Sequence, residues 1–209
     1  MAMGQKRRLR VLLDRLGLLP FALAMNRLRS GVFVLGYLRA LTRYLYNNIL
    51  TYVPIHTLRV AYLRYVLRVK VGKSSFVHLG CRFEPEGNGI SIGKNSVVGR
   101  RAVLMGDIRI DDNVSITAEV YIFTTSHDVH SMDFRATHSR VTIQERAWIG
   151  ARAMILPGVT VGAGAVLAAG SIATKNIAEF CISAGAPARE IGTRRRDIAY
   201  TLDYSPFFQ

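Results

Sequence analysis

From Val71 to Leu167 an aliphatic residue returns at six-residue steps, and a small or β-branched residue follows each of them four places later. The first run is Val71, Val77 and, as a looser aromatic member, Phe83. The second is Ile92, Val98, Leu104, Ile110, Ile116 and Ile122; the third is Ile143, Ile149, Ile155, Val161 and Leu167. Residues four places on include Ser75, Cys81, Ser96, Ala102, Ala147, Ala153, Ala165 and Ser171. A period of six fits neither the 3.6 of an amphipathic helix nor the 2.0 of a half-buried strand. It suits a triangular coil with three short strands per turn, the aliphatic residue pointing inward and the small one at the corner. Fixed-period repetition of this kind decides the architecture before any local preference does. These fourteen slots predict roughly five stacked coils, about 24 Å tall at about 4.8 Å per backbone layer. Gly72, Gly93, Gly99, Gly150 and Gly162 directly follow an aliphatic slot, where a bend is cheapest without a Cβ. The period alone does not fix the hand of the winding.

The repeat breaks twice, and breaks in a solenoid are where loops leave. Between Phe83 and Ile92 the step is nine, so three extra residues bulge around Pro85-Glu86-Gly87-Asn88-Gly89. Between Ile122 and Ile143 it is twenty-one, which reads as three hexapeptides plus three residues. This second stretch, loop 123–142, is polar and holds His127, His130 and His138, three of the five histidines. A long loop on a rigid scaffold is the expected place for chemistry.

The segments Thr125-Ser126-His127-Asp128, Ala147-Trp148-Ile149-Gly150, Ile155-Leu156-Pro157-Gly158-Val159, Ala169-Gly170-Ser171-Ile172-Ala173-Thr174-Lys175 and Ala184-Gly185-Ala186-Pro187-Ala188-Arg189 occur here in that order. In them the chain resembles the hexapeptide-repeat acyltransferases, close to the galactoside, maltose and exopolysaccharide O-acetyltransferases, over about residues 70–192. The resemblance implies a mainly β fold, a left-handed parallel β-helix, assembled as a homotrimer with acetyl-CoA bound between neighbouring prisms. His127 matches the family's base. Deprotonating a hydroxyl so that it attacks a thioester suits a histidine near its ordinary pKa, and direct attack in a ternary complex is expected. Ser126 and Asp128 are candidates for the acceptor sugar, and Asp128 is also a candidate to orient His127. The resemblance carries Ala151, Ala169, Thr174, Lys175 and Arg189 onto cofactor contacts, with Trp148 and Gly150 beside them. Arg194 is a further phosphate candidate, although Arg194-Arg195-Arg196 equally reads as a solvated run. The chain departs from the commoner pattern at Asn176, where aspartate is usual, and at Ala186, where asparagine is frequent. Three histidines within twelve residues also raise a zinc site, but His130 and His138 read as acceptor-site or solvated residues, and no metal is expected.

Residues 1–70 are a different object. They hold thirteen Lys and Arg against the single acid Asp14, a net charge of +12; the rest holds fifteen against thirteen, recovering the chain's +14. The segment is also rich in Leu, Val, Tyr and Phe, so it is not a disordered basic tail. Arg39 and Arg43, then Arg64 and Arg68, are spaced by four, and Pro20 and Pro54 divide the segment into three expected helices. The longest uncharged run, Tyr44 to Leu58, contains Asn47, Asn48, Pro54 and His56, too short and polar to span a bilayer. Lys6 to Arg10 followed by an apolar stretch to Ala24 imitates a signal peptide, but Asp14 and Arg15 interrupt it. Two readings remain: helices lying on an anionic membrane surface, or helices packed on the prism or trimer. No recognition motif supports nucleic-acid binding.

The expected organisation is therefore a basic helical extension at 1–70, a β-helix acyltransferase domain at 71–192 and a tail at 193–209. Tyr200, Tyr204, Phe207 and Phe208 make that tail too aromatic for a solvated end, so it is expected to dock on a neighbour or a membrane. Cys81 sits at a corner and Cys181 beyond the last expected coil; two unrelated cysteines suggest a reducing compartment. The function expected is O-acetyl transfer from acetyl-CoA to a sugar or lipid-linked glycan, on the cytoplasmic side of the membrane. A non-catalytic scaffold and a small-molecule, antibiotic-type acetyltransferase are the alternatives.

Overall fold

The structure, a computed structural model, describes residues 31–204. Helix α1 (Gly31–Asn48) crosses from one compact unit, ending at Thr42, into a second that begins at Arg43. In the first unit the helix exposes Val34, Leu35, Tyr37, Leu38 and Leu41. The second unit continues through a 3-10 turn (Leu50–Tyr52) and helix α2 (His56–Tyr65) into a run of short strands. Expectations resting on Lys6–Arg10, Pro20, Ala24, Phe207 and Phe208 lie outside the described residues.

The strands stack as a parallel β-helix with three faces. On the first, Val71, Ile92, Ile110, Ile143 and Val161 pair in register, and Val161 bridges Ile177. The second stacks Val77, Val98, Ile116, Ile149, Leu167 and Ser183. The third stacks Phe83, Leu104, Ile122, Ile155 and Ala173. Every aliphatic slot of the sequence pattern is buried, as are the corner residues Ser75, Cys81, Ser96, Ala102, Ala147, Ala153, Ala165 and Ser171. The corner serines also stitch coils together: Ser96 Oγ donates to Asp111 O (2.8 Å) and accepts from Val114 N (3.0 Å).

This register corrects four readings of the sequence. About six turns are present, not five, because the stack continues through Ala173, Ile177 and Ser183. A step shortened to four residues between Ala173 and Ile177, and a polar slot residue, hide the sixth coil. Cys181 consequently lies within this last coil, buried on the strand Cys181–Gly185. The twenty-one-residue gap is a single step of six with fifteen residues expelled, since Ile143 sits directly above Ile110. Finally, the corner glycines serve close approach rather than bending. A Cβ on Gly72 would lie 2.2 Å from Gly93 O, and one on Gly150 would lie 2.3 Å from Ala169 N. The left-handed backbone falls two residues later, at Ser74, Asn95, Arg101, Asn113, Glu119, Arg146 and Arg152.

A parallel stack ends in an open edge of unpaired donors and acceptors. Here side chains of the helical segment close it on all three faces. Arg64 Nη2 donates to Val71 O (2.7 Å), Arg59 Nη2 donates to Val77 O (2.8 Å), and Val77 N donates to His56 Nε2 (3.2 Å). Asn47 pairs with Phe83 in both directions, accepting from its N–H (2.9 Å) and donating to its carbonyl (3.1 Å). Thr51 Oγ1 donates to Cys81 O (2.7 Å). Tyr46, Val60, Leu63, Leu67 and Val69 join the prism's own hydrophobic core, with Tyr46 edge-on to Phe83 at 5.9 Å. Residues 43–69 are thus the floor of the prism, which is why they carry so much aliphatic and aromatic side chain.

The described part of the tail, to Tyr204, packs along the prism of its own chain. Arg194 N donates to Phe180 O, and its guanidinium donates to Gly164 O (3.3 Å) and Arg146 O (3.0 Å). Tyr200 OH donates to Arg146 O (3.1 Å), Leu202 N donates to Asn113 Oδ1 (3.1 Å), and the Tyr204 ring meets Phe76 at 5.6 Å and His78 at 5.2 Å. These partners belong to successive coils at one corner, so residues 194–204 run the length of the prism from its last coil to its first.

Two measurements check this floor. Asn47→Ala strands the N–H and carbonyl of buried Phe83, at a cost of about 1–3 kcal/mol; the melting temperature should fall by about 2–4 °C per kcal/mol. Burial, then the charges of Arg59, His78 and Arg64, lower the His56 pKa from 6.5 to about 4. Between those values the unfolded chain binds a proton that the fold refuses, so stability falls as pH drops from 6.5 toward 4. Thermal melts across that range should show a shallower fall in His56→Phe than in the wild type.

Candidate functional site

The expelled residues form an antiparallel two-stranded arm, Thr125–His127 paired with Ala136–His138. Its root is fixed to the prism. Thr124, almost fully buried, accepts from Asp107 N through Oγ1 (3.1 Å) and from Ser139 N through its carbonyl (2.8 Å). Arg140 grips Asp107 with two bonds, of 2.9 and 3.2 Å. Beneath this root Gly106, at φ 103°, cannot carry a side chain: a Cβ there would fall 1.6 Å from Thr124 Oγ1.

His127 ends the first strand of the arm, exposed, with its ring stacked on Phe134 at 4.4 Å and 6° between planes. Its Nδ1 lies 2.8 Å from Phe134 O. A carbonyl only accepts, so Nδ1 carries the proton, and the neutral imidazole presents Nε2 as a bare lone pair. Phe134 therefore orients the histidine twice, with its ring and its carbonyl. Its own backbone is left-handed at φ 46°, a genuine outlier for a bulky residue. Sequence reasoning missed Phe134, which no motif marks.

Asp128 does not face His127. Its Oδ1 accepts from His130 N (3.0 Å), its Oδ2 lies 3.6 Å from Arg135, and its backbone closes the turn through Arg135 O and Ser131. The carboxylate thus shapes the end of the arm. Ser126 is exposed and pairs with Thr137; strand alternation puts it on the face opposite His127. His138 lies directly across from Thr125, with Nδ1 3.1 Å from Thr125 Oγ1, and so shares the His127 face.

The candidate cofactor residues occupy other parts of the prism. Trp148 stands outward on the second face, 47% exposed. Gly150 and Ala151 form the next corner, and Ala169 sits one coil above, where Gly170 N donates to Ala151 O (2.8 Å). Ala151, Ala169 and Gly170 are all exposed, leaving a smooth wall of small residues. Thr174 and Lys175 are exposed at the corner shared with the root of the arm, two coils above it. Asn176 Oδ1 accepts from Thr160 N (2.8 Å), so the amide fills an acceptor role that an aspartate would also fill. Arg189 is exposed on the final strand Ala188–Thr193. Arg194, by contrast, is engaged with Arg146, Gly164 and Tyr200. The arm leaves one corner of the prism, whereas Gly150, Ala151 and Ala169 lie at another.

A cavity of about 780 Å³ lies beside α2, lined in part by His56, Arg64, Phe76 and Tyr204 and by none of these candidates. Among the described residues, no group of three or more His, Cys, Asp or Glu side chains is placed to hold a metal. Both described cysteines are free and buried, and burial pushes the Cys81 thiol up to about 12.

The repeat register defines a hexapeptide-repeat β-helix from which the histidine-bearing arm projects. Residues 140–175 match the bacterial transferase hexapeptide (six repeats) family, and residues 89–124 match the hexapeptide repeat of succinyl-transferase. The galactoside O-acetyltransferase of Escherichia coli is 35% identical over 127 residues, 58% of this chain and 62% of that protein. The chain thus spans about three fifths of that relative. A putative colanic acid biosynthesis acetyltransferase of Escherichia coli is 28% identical over 64% of this chain and 74% of its own. A hexapeptide-repeat acetyltransferase from Vibrio cholerae, solved with acetyl coenzyme A, shares the fold with a TM-score of 0.65 at 24% identity, covering 75% of this chain and 85% of that one.

The tautomer is directly measurable. Long-range proton–nitrogen spectra of neutral His127 should show hydrogen on Nδ1 and a bare Nε2, and Phe134→Ala should leave that assignment but broaden the resonances. Hydrogen on Nε2 in the wild type would overturn the geometry described.

Proposed function

We propose that this chain is an O-acetyltransferase that moves an acetyl group from acetyl-CoA to a sugar hydroxyl, with His127 as general base. The observation that carries the reading is the bare Nε2 of His127, held outward on a rooted arm by the Phe134 carbonyl. Nε2 removes the hydroxyl proton as the oxygen attacks the thioester carbonyl; the tetrahedral adduct then expels the coenzyme-A thiolate, to which the imidazolium returns the proton. No acyl-enzyme is needed. Cys81 is buried with its thiol pushed up to about 12, and Cys181 is buried in the last coil, so neither serves as a nucleophile.

The small-residue wall at Gly150, Ala151 and Ala169 suits the thin pantetheine arm. Exposed Trp148 borders it, Thr174 stands at the corner of the arm, and Lys175 and Arg189 supply cations for phosphates. Arg194 joins them only by releasing its bonds to the prism. Because the arm and this wall occupy different corners, a homotrimer in which the arm of one copy meets the wall of the next would complete each site. On the arm, Ser126 and Asp128 remain the proposed acceptor contacts, and His138, which shares the His127 face, is a further one.

The acceptor we infer is a glycan of surface polysaccharide biosynthesis, free or lipid-linked. Two observations support it: likeness to a putative colanic acid biosynthesis acetyltransferase, and the basic segment 1–70, which would bring the enzyme to the inner face of the membrane. Among the described residues no helix is long and apolar enough to cross a bilayer.

Coenzyme-A release, measured with acetyl-CoA and a panel of sugar acceptors, tests the reaction. His127→Ala should lower kcat by about 10²–10⁴ with an unchanged melting temperature. Near wild-type turnover in that variant would remove His127 from the mechanism.

A further inference from the structure

Helix α2 turns one side to the prism and leaves apolar residues on the other, beside Thr57 and Arg64. Val60 and Leu63 face the first coil, while Leu58 and Tyr65 on the other side are 45% and 82% exposed. The uncovered side continues back through Ile49, Tyr52 and Ile55, each more than half exposed and spaced by three, and forward to Val66. Scattered exposed apolar residues need no explanation, but this series is continuous and occupies the closed end of the prism.

Its electrostatic setting identifies the partner. From Arg15 to Phe83 the sequence has no aspartate or glutamate, and Arg64, Arg68, Lys70 and Lys73 stand exposed around the apolar series. Asp203 is the one acid lining the cavity beside Arg64 and Tyr65, and aromatic and aliphatic side chains with this excess of cations match the boundary between acyl chains and anionic headgroups. We propose that the outward side of α2 and the turn before it form a docking surface for an anionic bilayer, on which the prism stands by its capped end. This deepens the membrane reading above, which named residues 1–70 without a surface, and it rests on that reading.

Flotation of the full chain with vesicles tests it, using phosphatidylcholine alone against phosphatidylcholine mixed with phosphatidylserine. The wild type should float with the anionic vesicles only, and raised salt should weaken the association. Leu58→Glu/Tyr65→Glu should lose at least about tenfold in partitioning, since it replaces two apolar contacts with charges repelled by the anionic surface. Its coenzyme-A release with a soluble sugar should stay unchanged. Arg68→Ala/Lys70→Ala/Lys73→Ala, which leaves the apolar series intact, should weaken binding to anionic vesicles and supplies the test if the first variant fails to fold. Flotation of both variants like the wild type would place the membrane contact elsewhere, overturning this surface while leaving the membrane reading intact. A wild type that never floats would end both. A fall in molecular mass of the Leu58→Glu/Tyr65→Glu variant without vesicles would assign the surface to a second copy. A drop of several degrees in its melting temperature would mean that the chain covers the surface itself.

Discussion

The residue-for-residue backbone ladder between successive coils governs everything else in this molecule. Each slot must sit on the slot one turn below, so Ile92 lies on Val71 and Ile143 on Ile110 whatever number of residues separates them. Surplus residues have nowhere to go but outward, at a corner. The arm bearing His127 is therefore not a loosely tethered loop. It leaves the prism between two registered strands and is bonded back through Thr124, Ser139 and the Arg140–Asp107 pair. A base that must meet a substrate within a few tenths of an ångström gains from such a root.

A ladder also has two ends, and the chain closes them by different chemistry. At the top, the last strand folds back antiparallel on the final coil. At the bottom, side chains replace the missing coil, with Arg64, Arg59 together with His56, and Asn47 each satisfying one face. This division explains the composition of residues 43–69. Their inward side is recruited by the core and the open edge, and their outward side keeps the aromatic and basic residues that no part of the fold requires.

Much of this was legible in the sequence, because a six-residue period has few physical realisations and every predicted slot is buried. The sixth coil was hidden where a four-residue step and Ser183 interrupt the pattern. Composition showed Gly72 and Gly150 to be special but not why, since the close approach of another coil is not a local property. His127 could be singled out by its place in the gap between repeats. Phe134, which fixes its tautomer, could not, because a stacked ring and a backbone carbonyl seven residues away leave no motif. Asp128, one of whose candidate roles was to orient His127, bonds to His130 N and lies beside Arg135, because adjacency in sequence says little about direction once a turn begins. The tail's aromatic residues signalled docking, and two of them, Tyr200 and Tyr204, meet the chain's own prism.

That tail has a consequence for how the protein comes apart. Stacked repeats bond only to their neighbours, so a solenoid can fray from either terminus one unit at a time. Here residues 194–204 lie across the stack like the spine of a book, bonded to Phe180, Gly164, Arg146 and Asn113 and ending on Phe76. No leaf can be turned without loosening the binding. Fraying at the top exposes the bottom, and an array with two independent ends opens and closes as a single volume.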